Sequence, residues 1–492
     1  MKLKAKNFNW LAGRPVVILN QDTAKKLNVH VDERVLISLP KKFYAVVDIF
    51  EKIIKDGEIG LSFEISKTLN VKDNSELEVS AGGISLAGFL IRKKILGNKL
   101  SRKEIEFLVS EIIDNNLTES EIAYFAAAEK MNGMSMKEII FLTKAMINNG
   151  KKLNFKERYV ADKHCIGGIA GNRTTPIVVA ICACAGLILP KTSSRAITSA
   201  SGTADVIETI SKVEFSPEEL KRIVKKTNAC LAWGGSLGLA PSDDKIIQVE
   251  RILNLDVEPQ LLASIISKKI SAGSKYILID IPYGKSAKEK TKEEAEKLAR
   301  KFKIIAKHFR IKLKITLTDG TLPIGKGIGP VLEMLDVLAV LQNKPDAPED
   351  LKEKSLFLAS ELMKLCSIKN SASKAKEILE SGKAYEKFRQ IINVQNGKND
   401  FDFRIKSLKL GKYKKLIKAE RSGTIKEADN KKLNSLARIL GTPETISAGI
   451  YLYKHSGQIK KSESLMMLYS ESKTKLRDAL RFVQDSKPIL ID

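Results

Sequence analysis

Apolar positions change their spacing several times along the chain, and each change marks a change of architecture. Near the start, short runs such as Ala45-Val-Val-Asp-Ile49 read as strands. Lys25-Lys-Leu-Asn-Val29 recurs as Lys67-Thr-Leu-Asn-Val71, and each copy precedes an acidic turn and a short apolar run, Val35-Leu-Ile37 and Leu77-Glu-Val79. This duplication predicts a small pseudo-symmetric β-barrel of two half-units over residues 1–84, with a boundary near Ala81-Gly-Gly83.

From Ser101 the period becomes helical, with Ile105, Leu108, Val109, Ile112 and Ile113 on one face. Thr118-Glu-Ser-Glu121 opens a second helix that runs through Met131, and a third is expected from about Ser135 to Ile147. The short connections predict an antiparallel helical layer. From Arg158 to about Asp336, apolar runs alternate with helices, the pattern of an α/β sheet. Beyond about Leu408, Ser422-Gly-Thr-Ile425, a helix around Lys431 to Ile439 and Ile450-Tyr-Leu-Tyr453 read as a small α+β unit. The expected fold is multidomain α/β and α+β: an N-terminal β-barrel (1–84), a helical domain (85–157) onto which a later segment, about 243–272, packs back, a large α/β domain (158–405) and a C-terminal α+β domain (406–492).

Composition narrows the function classes. The chain has 492 residues, 43% hydrophobic and 29% charged, which excludes a largely disordered protein. Its five cysteines (Cys165, Cys182, Cys184, Cys230, Cys366) lack CxxC pairing, so neither a disulfide framework nor a zinc site is indicated. The N-terminus reads Met-Lys-Leu-Lys without an apolar stretch behind it, and no window approaches 18 apolar residues, so a cytoplasmic location is expected. A net charge of +26 invites a nucleic-acid reading. The lysines are scattered, however, as over residues 285–303, where Glu293, Glu294 and Glu296 interleave them. That pattern reads as a solvated face whose field also favours anionic substrates. An RNA-binding groove would carry aromatics among its basic residues, and aromatics are only 6% and not so arranged.

The chemistry concentrates between residues 162 and 205. Asp162-Lys-His-Cys-Ile-Gly-Gly-Ile-Ala-Gly-Asn-Arg-Thr-Thr-Pro176 follows a predicted strand, Tyr159-Val-Ala161, and precedes an apolar helix. Thr175 fits an N-cap and Pro176 the first helical position, which would aim free N–H groups at the loop. Gly167, Gly168 and Gly171 let backbone approach a ligand, and Lys163 and Arg173 add charge for a phosphate. A second loop, Lys191-Thr-Ser-Ser-Arg-Ala-Ile-Thr-Ser-Ala-Ser-Gly-Thr-Ala-Asp205, repeats the logic with hydroxyls and an arginine. Two adjacent cradles suggest two phosphates. Glycines and hydroxylated residues also make ordinary turns, so each loop alone leaves that alternative open. Neither loop has Walker A or Rossmann spacing, and Gly325, Gly327 and Gly329 read as a turn before a helix near Val331.

These residues resemble the thymidine phosphorylase superfamily and, within it, the archaeal-type AMP phosphorylases. The resemblance rests on Lys163-His164 with Gly167-Gly168, on the second loop, on Leu262-Ala-Ser-Ile-Ile-Ser-Lys-Lys269 and on Tyr283-Gly-Lys-Ser-Ala-Lys288, and it covers nearly the whole chain. It implies phosphorolysis of nucleoside 5′-monophosphates with inorganic phosphate as co-substrate, no metal and no organic cofactor, and a homodimer or larger homo-oligomer. It implies nucleotide binding by Gly168, Ser194, Arg195, Ala196, Ile197, Thr198, Ser199, Thr203, Ser264 and Lys288, and phosphate binding by Lys163, Cys165, Ser193 and Thr203. Asp256 is implied as the general acid; without the resemblance it reads as a turn residue or cap. A carboxyl group in that role must hold a proton, so burial or a nearby anion is needed.

Three positions depart from the family pattern. Cys165 stands where Ser is expected, and a thiol donates a weaker hydrogen bond. Beside Lys163 and His164 it also admits reading as an activated nucleophile. Ala170 replaces an expected Pro, and Arg173 an expected Lys. The remaining alternative within the superfamily is a pyrimidine nucleoside phosphorylase, from which the donors of Thr192-Ser-Ser-Arg-Ala-Ile-Thr198 would distinguish this chain.

Overall fold

A computed structural model describes every residue except 39–41, 84, 197, 198 and 254 and the side chains of Lys42 and Leu253. It divides into two compact units, residues 1–149 with 241–261, and residues 150–240 with 262–492.

The first unit opens with strands β1 (Lys2–Asn7), β2 (Val16–Leu19), β3 (Arg34–Ser38), β4 (Lys42–Ile49), β5 (Glu58–Leu61) and β6 (Glu76–Ala81). They close into a barrel in the order β1-β5-β2-β4-β3-β6. Alternation explains the closure: Leu3 and Ala5 of β1 and Leu77 and Val79 of β6 are buried between exposed polar or charged neighbours. The duplicated segments fall on two matching helices, Gln21–Leu27 after β2 and Phe63–Leu69 after β5. Each helix ends on an asparagine in the left-handed region, Asn28 at φ 51° and Asn70 at φ 50°, so the repeat marks two equivalent helix stops. The proposed boundary residues end at Ile84, which lies outside the described residues.

Helices Leu86–Ile95, Arg102–Ile113, Glu119–Asn132, Met136–Asn149 and Pro241–Leu253 complete this unit. Ser101 with Glu104, and Thr118 with Glu121, form reciprocal capping boxes at two of the helix starts. Lys245 Nζ donates to the carbonyls of Ile112 and Ile113, satisfying the C-terminal end of Arg102–Ile113.

The second unit is built on five parallel strands, β7 (Ala161–Cys165), β8 (Leu189–Ser193), β9 (Ala229–Trp233), β10 (Tyr276–Tyr283) and β11 (Lys312–Asp319). β11, β10 and β7 pair in that order, β8 pairs with β9, and a parallel bridge between Val160 and Ile188 joins the two groups. The helix Thr174–Cys184 is buried along almost its whole length, as its unbroken apolar run requires. Residues 413–491 add two antiparallel sheets and the helices Asn430–Leu440 and Lys473–Ser486. The strand Gly327–Ile328 joins one of these sheets by pairing with Gly449–Leu452. The glycine-rich segment at 325–329 therefore contains a short strand between turns at Gly325 and Gly329, and the helix Pro330–Leu341 follows it.

The sequence placed the strand before the first loop at 159–161, but β7 runs from Ala161 to Cys165. Asp162 and Lys163 are therefore strand residues. Pairing with β10, Asp162 to Ile277 and Lys163 to Leu278, overrides their low strand propensity.

Candidate active site

Both loops leave the carboxyl ends of parallel strands, the first after β7 and the second after β8, where ligands bind in open α/β sheets. The first turns on three glycines with left-handed backbone, Gly167 (φ 89°), Gly168 (φ 93°) and Gly171 (φ 69°). A Cβ at Gly168 would lie 2.9 Å from the backbone nitrogen of Lys288, and one at Gly171 2.3 Å from the carbonyl of Ile324. The loop is thus pressed against two neighbouring segments. Gly168 and Lys288, two of the sequence candidates, are brought together here.

The helix after the loop starts at Thr174, one residue earlier than the cap at Thr175 implied, and its N-cap is Arg173 with no side-chain capping bond. Pro176 is its third residue, where an N–H would lack a carbonyl partner within the helix in any case. This end combines the positive end of the helix dipole with uncapped donors. Directly beside it lies Lys163, 1% exposed, whose Nζ donates 2.7 Å to Thr174 Oγ1 and lies 3.5 Å from Thr175 Oγ1. Lys163 has no carboxylate within 4 Å among the described residues, and burial lowers its pKa. Nearby Asp280 is already engaged by Thr318 Oγ1 at 2.6 Å and Lys354 Nζ at 3.3 Å.

A buried trio lies alongside. Lys191 Nζ and Lys269 Nζ contact Asp162 at 3.1 and 3.0 Å, two cations on one carboxylate. Burial lowers the Lys269 pKa, with Asp162 opposing the shift and Lys191 adding to it. Burial also holds His164 well below its ordinary value, reinforced by Lys269, Lys191, Lys163 and Lys288. His164 is a neutral imidazole in a field of ammonium groups. A field of this sign would favour a bound anion.

Cys165 lies at the end of β7, with Asn172 Nδ2 at 3.5 Å from its Sγ. Burial and, secondarily, Asp280 raise its pKa. Both effects favour the thiol over the thiolate and so weigh against an activated nucleophile.

The second loop is organised by a carboxylate. Asp205 Oδ2 accepts from the backbone N–H groups of Ala196 and Gly202, both at 2.7 Å. A Cβ at Gly202 would lie 2.4 Å from the carbonyl of Ser194, so only glycine permits this fold-back. Ser194 is exposed, Ala196 is buried, and Ser199 Oγ donates to the carbonyl of Ser201. Ser193, at the end of β8, has a buried hydroxyl with no hydrogen-bond partner among the described residues. Ile197 and Thr198 lie outside the described residues. The helix that follows, Thr203–Glu208, is only six residues long.

Two arginines behave differently from their sequence reading. Arg195 pairs with Glu208, with Glu214 at 3.1 Å and with Asp205 at 3.6 Å, and stacks over the Trp233 ring at 4.9 Å. Its charge is largely neutralised. Arg173, expected to pair with phosphate, donates to Glu333 Oε2 (2.7 Å), Thr203 Oγ1 (2.8 Å) and the carbonyl of Ser201 (2.9 Å). It braces one loop against the other, since a guanidinium fork spans three acceptors and Glu333 is buried. Thr203 is thereby drawn to the first loop.

Ser264 and Lys268 lie four apart on the helix Glu258–Ser271, both half-buried. Asp256 belongs to the first compact unit, just before that helix, and is exposed; its carbonyl accepts from Lys130 Nζ at 2.7 Å. The local surroundings described here do not bury its carboxyl group. Sequence reasoning missed Asp205 as an organiser, the Lys191–Asp162–Lys269 trio, and two buried asparagines of the C-terminal helix, Asn430 and Asn434, whose side chains accept from loop N–H groups. No local pattern announces these contacts.

The helical bundle domain of the glycosyl transferase family matches residues 90–150, and the a/b domain of that family matches residues 157–385. AMP phosphorylase of Methanococcoides burtonii is 39% identical over 499 residues, covering 100% of this chain and 97% of the relative. AMP phosphorylase of Thermococcus kodakarensis is 39% identical over 496 residues, covering 100% and 98%.

The chain belongs to the AMP phosphorylase family.

A putative thymidine phosphorylase of Legionella pneumophila is 40% identical over 445 residues, covering 89% of this chain and 84% of the relative. AMP phosphorylase similarity thus extends over the full chain, N-terminal barrel included. Among solved structures, anthranilate phosphoribosyltransferase of Thermus thermophilus matches with a TM-score of 0.51 at 16% identity, over 62% of this chain and 99% of that one. That likeness concerns the fold alone. Among the described residues no helix is long and apolar enough to cross a membrane, and no cluster of three or more His, Cys, Asp or Glu could hold a metal.

Proposed function

We propose that the chain cleaves nucleoside 5′-monophosphates by phosphorolysis. Inorganic phosphate attacks C1′, the bond from C1′ to the base breaks, and the products are free base and ribose 1,5-bisphosphate. AMP is the first expected substrate, with CMP and UMP as further ones, and no metal or organic cofactor is required. The carrying observation is the buried Lys163 ammonium, without a carboxylate within 4 Å among the described residues, beside the uncapped start of Thr174–Cys184. A buried cation is costly until an anion joins it, and a phosphate there would receive charge-assisted bonds from Lys163 and backbone N–H groups.

In this reading Lys163 and Cys165 of the first loop, with Ser193 and Thr203 of the second, take inorganic phosphate. Residues 194–199, Thr203, Gly168, Ser264 and Lys288 take the nucleotide. The Ser193 hydroxyl, buried without a partner among the described residues, supports its place in the phosphate set, and Asp205 fixes the shape of the second loop. Arg195 would contribute through loop shape, given its three carboxylate neighbours. Asp256 would protonate the departing base. Cytoplasmic nucleotide salvage by a homodimer or larger homo-oligomer fits, with Phe89, Leu96, Tyr124 and Met131, all more than half exposed, as the apolar surface of assembly.

The test gives purified protein phosphate with AMP, CMP, UMP or thymidine and measures release of base. Base should be released only from the monophosphates; cleavage of thymidine without AMP would favour a thymidine phosphorylase and sink the reading. Asp256→Asn should lower kcat by about 100-fold or more with little change in nucleotide affinity, as for loss of a general acid.

A further inference from the structure

The helix Asn430–Leu440 lies far along the chain from both loops, yet it touches each of them through a buried asparagine. Asn430 Oδ1 accepts from the N–H of Ala170 at 3.0 Å, and Asn434 Oδ1 accepts from the N–H of Ala200 at 2.9 Å. Asn430 is fully buried and Asn434 nearly so. Four residues apart, they project from the same face of one rigid helix, so the spacing of the two contacts follows from the helical repeat. Asn430 reaches further. Its Nδ2 donates to the carbonyl of Gly320, after β11, and to Ser286 Oγ, after β10, both at 3.1 Å, and its N–H donates to the same hydroxyl.

Segments following β7, β8, β10 and β11 are therefore all bonded by two side chains of one helix. Apolar packing agrees with this, because Ala170 and Ala200 are both buried in the core that contains Leu433, Leu436, Ala437 and Leu440. The helix is itself fixed at its start, where Asp429 accepts from the N–H groups of Lys431 and Lys432. The bond to residue 170 needs an N–H, which Ala170 has and the proline expected there would lack.

We infer that Asn430 and Asn434 are positioning residues, a two-point clamp by which the C-terminal helix sets each anion loop in place. This rests on the reading above, in which Lys163 and Cys165 of the first loop hold inorganic phosphate and residues 194–199 of the second hold the nucleotide. Neither asparagine touches a reactant; each acts through the backbone of a loop. The clamp has separable halves, so the two substrates should respond to different substitutions.

The test uses full-length protein, with Asn430→Leu and Asn434→Leu, similar in size and lacking the acceptor, and Asn434→Asp, which keeps it. Hydrogen exchange at the amides of Ala170 and Ala200 is measured first, without substrate. Asn434→Leu should speed exchange at Ala200 by about 10-fold or more and leave Ala170 unchanged; Asn434→Asp should restore protection of Ala200. Asn430→Leu should do the reverse of Asn434→Leu. In kinetics, Asn434→Leu should raise KM for AMP by about 10-fold with KM for phosphate changed less than about 2-fold, and Asn430→Leu should raise KM for phosphate more than that for AMP. Unchanged exchange at both amides in folded variants, or parallel changes in both KM values, overturns the clamp. Selective exchange effects in a protein that does not cleave AMP would uphold the clamp and overturn the assignment of substrates.

Discussion

The two loops are built from opposite materials. The first is made of backbone: three left-handed glycines, an uncapped helix start and one buried ammonium with no carboxylate beside it. The second is made around carboxylates, with Asp205 gathering two N–H groups and Arg195 neutralised by Asp205, Glu208 and Glu214. The first loop thus keeps its positive charge in reserve, whereas the second uses its charge to hold its own shape. A site of the first kind binds through charge and desolvation, and one of the second kind through geometry.

The sharpest break of this comparison is Lys163→Met. Loss of this ammonium, held by Thr174, should lower kcat/KM for phosphate by about 100-fold or more, since charged hydrogen bonds in a buried site are the strong ones. Removing an unpaired buried charge also removes its desolvation cost, so Tm should hold or rise. A variant that loses stability along with activity would mean that Lys163 is structural. The second loop should respond in the opposite sense. Asp205→Ala leaves two N–H groups, that of buried Ala196 and that of half-buried Gly202, without their acceptor and should cost about 2–4 kcal/mol of stability, read by denaturant unfolding, while raising KM for the nucleotide more than that for phosphate. The smallest effect is expected from Cys165→Ser. Because the thiol is held neutral, exchange for a hydroxyl should change kcat/KM for phosphate by less than about 3-fold and leave the pH profile between 6 and 8 unaltered. A large loss would restore a chemical role to the sulfur.

Local signals carried much of this. The repeat at 25–29 and 67–71 foretold a closed barrel of two half-units, and the structure shows that each copy carries an asparagine in left-handed backbone that stops a helix. Gly167, Gly168 and Gly171 were legible as a close-approach loop for the same conformational reason. The strand at 161–165 was misplaced because Asp162 and Lys163 look like loop residues until Lys191, Lys269 and the pairing with β10 are known. Arg173 was read as a phosphate ligand because its three acceptors lie 28, 30 and 160 residues away.

The sequence by itself determined the order of architectures, the glycine-rich backbone of the first loop and the family, since these rest on local periodicity, local conformational preference and residue identity. Only the tertiary structure decided which charges remain available. Arg173 and Arg195 are engaged by carboxylates, Lys163 is not, and Asn430 meets Ala170 across 260 residues of chain. Pairing of charges and buried donors depends on which groups the fold brings within a few ångströms, and that distance is set by packing across the whole unit.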